Sequence, residues 1–314
     1  RAKNLLPQFR KKNTFSYDQL TQGLKLMLWG FFLKVVIADR LAIVVNEVYN
    51  HLPNYTGTPL IIATYFFAFQ IYCDFAGYSF IAIGAAKTIG ITLMTNFKRP
   101  YLAKSFSEFW QRWHISLSTW FRDYVYIPLG GTRVTLYKWL INITIVFLVS
   151  GLWHGAAWTF VVWGLLHGLY VILEKITFQL RTKIFSFLKL ETVPILHSIV
   201  KRIVIFHFVL FAWIFFRANN LSDAIYVIRN LFSSLTINLS ELTLGLSGIH
   251  ELYIAIYSII FIILVHIYLE FTETYKKTLR YNAILRWSFY IALIWVIVLF
   301  GVYDGNANFI YFQF

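Results

Sequence analysis

Residues 139–174 read WLINITIVFLVSGLWHGAAWTFVVWGLLHGLYVILE. Up to its final Glu174 the run carries no Lys, Arg, Asp or Glu, yet it holds two histidines, His154 and His167. An apolar stretch of this length is a membrane segment rather than a soluble core helix. Its flanks are basic on both sides, Arg133 and Lys138 before it, Lys175 and Arg181 after it. Basic flanks mark the cytoplasmic side, so the chain must cross an even number of times. A full crossing takes roughly 20 residues, and two of them barely fit. Two short, tilted or re-entrant helices fit better, broken at Gly151-Leu152-Trp153-His154-Gly155. That break puts His154 at membrane depth, where irregular backbone survives only when protein or a water-filled cavity surrounds it.

The rest of the 314-residue chain agrees. It is 59% hydrophobic, 20% aromatic and only 13% charged, against about a quarter charged in soluble domains. Its mean hydropathy is +0.63. The formal net charge of +14 sits in short clusters between apolar runs, at 1–12, 98–138, 175–202 and 276–286. That pattern is membrane topology, not a nucleic-acid surface. Further spans are expected near 19–49, 59–94, 200–217, 252–270 and 287–303. The first is interrupted by Lys25, Lys34, Asp39 and Arg40, and the second is expected to break near Asp74 and Gly77. The single cysteine, Cys73, excludes an internal disulfide framework. No repeats, low-complexity tracts or signal-peptide pattern stand out. The expectation is one all-α, polytopic membrane domain over 1–314. An opening without Met reads as the C-terminal part of a longer protein.

The stretch Arg99–Gly131, RPYLAKSFSEFWQRWHISLSTWFRDYVYIPLGG, has a different character. Ser105 and Glu108 have capping-box spacing. Phe106, Phe109, Trp110, Trp113, Leu117, Trp120, Phe121 and Tyr124 then fall within about 60° either side of one line on a helical wheel. The spacing predicts a single amphipathic helix, ended before Pro128 and lying at the membrane interface. His114 sits on the border of the stripe. An interfacial hydrogen-bonding role is the plain reading for it, as a packed core role is for His154. An ionisable side chain at depth usually faces a cavity or a partner, and imidazole suits proton transfer near neutral pH. There is no metal-ligand cluster, nucleotide loop or nucleophile elbow. With only 14 acidic residues in all, no metal site is expected. The chemistry that fits is a buried histidine acting as a base on a hydroxyl. A proton-coupled transporter or flippase of an envelope precursor fits the same broken helices, and so does a non-catalytic scaffold.

Several stretches resemble the membrane-bound O-acyltransferase family, and within it the bacterial branch that O-acetylates alginate and peptidoglycan. They are YCDFAGYS (72–79), FKRPY (97–101), FWQRWHISLSTWFRDYVYIPLGG (109–131), SGLWHGAAW (150–158), WGLLHG (163–168), FRAN (216–219) and IYFQF (310–314). The resemblance implies a ring of membrane helices, with interfacial and re-entrant ones, around a central tunnel. It implies His154 as the catalytic residue, with His114 near the same passage. Trp110, Trp113 and Trp153 would wall the tunnel, Asp74 would lie along it, and Arg112 and Arg122 would attract a phosphate-bearing donor. It keeps His167, otherwise structural, in play.

The implied cofactor is none; the donor is a substrate, an acyl thioester such as acetyl-coenzyme A or an acyl carrier on the cytoplasmic side. The implied partners are an extracytoplasmic acyltransferase protein and a cell-surface polysaccharide, at the bacterial cytoplasmic membrane. Teichoic-acid D-alanyl transfer belongs to the same family and stays open. One position departs from the branch, Phe80, where an Asp often follows GYS. That position bears on the substrate details the resemblance implies.

Overall fold

The computed structural model describes residues 1–10, 12–233, 235, 243–274 and 282–303. Lys276, Lys277, Arg280 and the closing IYFQF motif lie outside them. Among the described residues the regular structure is entirely helical. Six helices among the described residues are long and apolar enough to cross a membrane: α4 (Thr58–Thr88), α7 (Leu136–His154), α8 (Trp158–Ile176), α10 (Pro194–Arg217), α12 (Ile249–Thr274) and α13 (Ala283–Phe300). The expected helical class is therefore what the chain adopts.

The helices gather into two compact units. The first takes Arg1–Asn50, Tyr65–Thr95 and the described residues of 243–303. It contains α1 (Ala2–Phe9), α2 (Tyr17–Phe31), a π-helical stretch Phe32–Ala38, α3 (Asp39–Asn50), most of α4, α12 and α13. The α2–α3 stretch is helical without a gap, as the charge-interrupted first span requires. Three of its charges, those of Lys34, Asp39 and Arg40, are matched within the unit. Lys34 Nζ lies 2.8 Å from Asp39 and 2.5 Å from Asp74, and Arg40 pairs with Glu251. Ions can be kept out of water only when paired in this way.

The expected break near Asp74 and Gly77 does not occur, because α4 runs unbroken from Thr58 to Thr88. Gly77 serves contact, not flexibility. A Cβ on Gly30 would lie 2.6 Å from the Gly77 carbonyl oxygen, and one on Gly84 would lie 2.5 Å from that of Gly23. Two glycines seven residues apart on α2 thus meet two on α4, antiparallel, backbone against backbone. Close approach through small residues is how helices associate without a hydrophobic driving force between them.

The second unit takes His51–Thr64 and residues 96–233. It holds the first turns of α4, then α5 (Phe106–Arg112), α6 (Ile115–Phe121), a π-helical turn Arg122–Tyr126, α7, α8, α9 (Phe178–Phe187), α10 and α11 (Leu221–Asn230). The paired helices predicted in 139–174 are α7 and α8. Each is 19 residues long, about 28 Å at 1.5 Å per residue, because they begin and end beyond the apolar run. Both are thus long enough for a full crossing, not only for a re-entrant one. The turn falls at 155–157, just after the predicted break. Gly151 lies against the Phe160 backbone and Gly164 against the Phe147 carbonyl, so the pair packs as closely as the α2–α4 pair.

Alanine at Gly30 or at Gly77 forces the α2 and α4 backbones apart. Either substitution is expected to lower the unfolding temperature of the detergent-purified protein, although Gly→Ala in an ordinary helix interior raises stability by roughly 0.5–1 kcal/mol. An unchanged or higher melting temperature would mean that the contact is dispensable.

Candidate functional site

The predicted single helix from Phe106 onward is two helices, and His114 is the break between them. His114 adopts the left-handed conformation, φ 41° and ψ 54°, which costs a non-glycine residue roughly 1–2 kcal/mol. The cost is met by a neighbouring segment. Lys98 N–H donates to the Arg112 carbonyl at 2.9 Å, and Ile115 N–H donates to the Asn96 carbonyl at 2.9 Å. Asn96 Oδ1 also accepts from Ser116 N–H at 3.3 Å. Residues 96–98 thus take up backbone groups that the break releases. Helical periodicity carries no sign of this, because the partner lies about 20 residues earlier. Non-glycine residues held at positive φ gather at functional sites.

The start of α5 is fixed from two directions. Ser105 Oγ accepts from Glu108 N–H at 3.0 Å, the predicted N-cap. Glu108 reaches one residue further back than a capping box requires, accepting from Lys104 N–H at 2.7 Å. From α8, the Glu174 carboxylate accepts from Phe106 N–H at 3.2 Å and Ser107 N–H at 3.0 Å. A carboxylate at a helix N-terminus is favourable through both hydrogen bonds and the helix dipole.

His154 is the last residue of α7, immediately before extended Gly155. Its ring meets the edges of Trp163 at 4.9 Å and Phe216 at 5.2 Å, with Trp153 at 4.9 Å on the other side. Trp153 is itself 6.2 Å from the His114 ring. The two histidines therefore flank one tryptophan. His114 is buried, and that burial holds its pKa down to about 4, so its imidazole is neutral at physiological pH. His154 is half-buried and Trp153 is exposed, which leaves this pair open on one side.

The other predicted residues divide. Trp110 stands between the sites, edge-on to Trp163 at 5.9 Å and to Phe147 at 5.3 Å. Trp113 is fully buried among Phe97, Phe109 and Trp213, a packing position. Arg112 pairs with Glu108 at 2.6 Å, and exposed Arg122 with Asp123 at 2.8 Å. Asp74 belongs to the first unit and to its Lys34 ion pair, not to the helices that carry the histidines.

His167 is the residue that sequence reasoning underrated. It is fully buried, and neither ring nitrogen has a hydrogen-bond partner among the described residues. Trp110, Trp163 and Phe109 surround it at 4.9, 5.1 and 5.9 Å. Its position relative to His154 follows from the 155–157 turn; no continuous helix links the two. A buried polar group left unpaired costs about 1–3 kcal/mol, a cost native proteins seldom carry without a use for it.

The chain was also compared with known proteins. The family model described as MBOAT, membrane-bound O-acyltransferase family, matches residues 5–217. The chain belongs to that family and is a membrane protein. It is 39% identical over 242 residues to the probable alginate O-acetylase AlgI of Pseudomonas putida, covering 77% of this chain and 47% of the relative. To the peptidoglycan O-acetyltransferase of Helicobacter pylori it is 37% identical over 241 residues, 76% of this chain and 44% of that one. To the teichoic acid D-alanyltransferase of Bacillus subtilis it is 31% identical over 211 residues, 63% of this chain and 51% of the relative. The chain thus spans about half the length of these relatives.

The His114 imidazole should remain unprotonated from about pH 8 down to about pH 5, where an ordinary histidine would already be charged. Imidazole nitrogen shifts in selectively labelled protein report this directly. A midpoint near the usual value of about 6.5 would show that water reaches the ring.

Proposed function

We propose that the protein is an O-acyltransferase of the bacterial cytoplasmic membrane. It moves an acyl group from a thioester on the cytoplasmic side toward hydroxyls of a cell-surface polysaccharide, together with an extracytoplasmic acyltransferase partner. The observation that carries the reading is the placement of His154. It ends a membrane helix at a turn, is ringed by aromatic side chains, and has His114 across Trp153. Family membership and the O-acetylating relatives support the reaction class.

In this reading neutral His154 accepts the hydroxyl proton as the oxygen attacks the thioester carbonyl carbon. The new C–O bond forms, the C–S bond breaks, and the imidazolium returns the proton to the leaving thiolate. No net proton or electron is consumed. His114, held in one orientation by its strained backbone, positions the reacting group. General-base catalysis of this kind contributes about 10²- to 10⁴-fold in rate.

The test is the O-acyl ester content of the surface polymers in cells making full-length protein, His154→Ala or His114→Ala at matched membrane abundance. His154→Ala should lower esters at least about 100-fold, and His114→Ala should lower them less. The polymer that loses its ester is the acceptor. Unchanged esters in His154→Ala would overturn the reading in favour of a carrier or scaffold.

A further inference from the structure

The reaction proposed above makes no use of His167. That residue lies at the middle of α8, a helix long enough to cross the membrane, where an ionisable side chain is costly and seldom idle. It is fully buried, and neither ring nitrogen has a hydrogen-bond partner among the described residues. Two neighbours share that condition. The indole Nε1 atoms of Trp110 on α5 and Trp163 on α8 are also buried with no partner among the described residues. The three rings form a triangle, with centres 4.9 Å (Trp110 to His167), 5.1 Å (Trp163 to His167) and 5.9 Å (Trp110 to Trp163) apart. Three buried polar side chains thus meet without bonding one another.

Their chemistry defines what can pair them. An indole offers one N–H and no acceptor, and a neutral imidazole offers one N–H and one bare nitrogen. The triangle therefore calls for a molecule that accepts from the indoles and donates to the imidazole. A carboxylate cannot donate, and an ammonium cannot accept. Water does both, and about three hydrogen bonds is what a buried water makes. A route in is present as well. A cavity of about 120 Å³ is walled by Trp110 and Phe147, and the same two rings lie 4.9 and 6.4 Å from His167. A water needs roughly 10–15 Å³, so the cavity brings water to within one ring of His167.

We infer that Trp110, Trp163 and His167 hold a buried water, and that through it His167 acts as a positioning residue for His154; this second part rests on the reaction proposed above. The path runs through contacts of the site itself. The water accepts from Trp163 Nε1–H and so fixes the turn of the indole. That indole stands edge-on to the His154 ring at 4.9 Å. A base must be held in one orientation to meet its proton, and an indole free to rock would let the imidazole rock with it. His167 touches no reacting atom and takes up no proton. It sets His154 through Trp163.

Each part has its own test. For the water, full-length protein with isotope-labelled tryptophan is purified in detergent, and its indole N–H signals are assigned with Trp110→Phe and Trp163→Phe. Both indole protons should exchange magnetisation with a long-lived water in the native protein, with no substrate added. Absence of that contact would overturn the site, whatever the reaction is. For the positioning role, permeabilised cells with their polymers in place are supplied with acetyl-coenzyme A, and the rate of polymer ester formation is read at matched membrane abundance. His167→Phe, flat but unable to hydrogen-bond, should lower the maximal rate about tenfold to 100-fold and leave the half-saturating donor concentration unchanged. His167→Leu takes its place if the larger ring does not fold. His167→Gln, which both donates and accepts, should restore most of the rate. A packing role predicts the reverse order, the apolar variant tolerated and Gln not, and that order would overturn the positioning role alone. Ester formation that persists unchanged in His154→Ala would overturn the acyltransferase reading and the positioning role with it, while the water contact is decided by the first measurement.

Discussion

Both units depend on bringing helix backbones together where water cannot help. Lipid tails are as apolar as leucine, so packing leucine on leucine gains little inside a bilayer. What holds the helices is close approach, and glycine permits it. Gly23 and Gly30 of α2 meet Gly84 and Gly77 of α4, while Gly151 and Gly164 join α7 to α8. In the second unit this contact also places two histidines. Gly151 lies three residues before His154, and Gly164 three before His167. The separation between α7 and α8 therefore fixes how near the His154 imidazole stands to Trp163.

Charge inside the first unit follows the same economy. Lys34 leaves a π-helical stretch to meet two carboxylates, one from its own chain segment and one from α4. A π-turn advances side chains out of the usual helical register, which marks functional or strained positions in many helices. Here it brings an ammonium to Asp74, a residue that would otherwise be a lone acid in an apolar helix. Three of the four charges that interrupt 19–49, Lys34, Asp39 and Arg40, are thus the ones that tie it down.

How far the sequence could be read depended on how local the deciding interaction was. The α7–α8 pair was legible because apolar length and basic flanks are properties of the segment itself. The Ser105 cap was legible because its partner is three residues away. The continuity of α4 was not. Gly77 is locally a breaker, and only its partner Gly30, 47 positions earlier in the chain, makes it a contact. The break at His114 was hidden for the same reason, since the aromatic stripe keeps helical spacing straight through it and the compensating hydrogen bonds come from Asn96 and Lys98. Of the candidate site, the two histidines could be found by their unusual settings. The isolation of His167 could not, because a fully buried histidine in a Trp-rich run reads as core until its partners are counted.

The carboxylate of Glu174 gives the second unit a mechanical property. It closes the start of α5 from the far end of α8, and α8 carries Trp163 and His167. The amphipathic helix is therefore latched to the membrane helix at one end and abuts it through Trp110 at the other. The C-terminal end of α8 and the start of α5 are tied together by the Glu174 hydrogen bonds. A substitution that shifts the C-terminal end of α8 therefore acts on the start of α5 as well, and α5 ends at the strained backbone of His114.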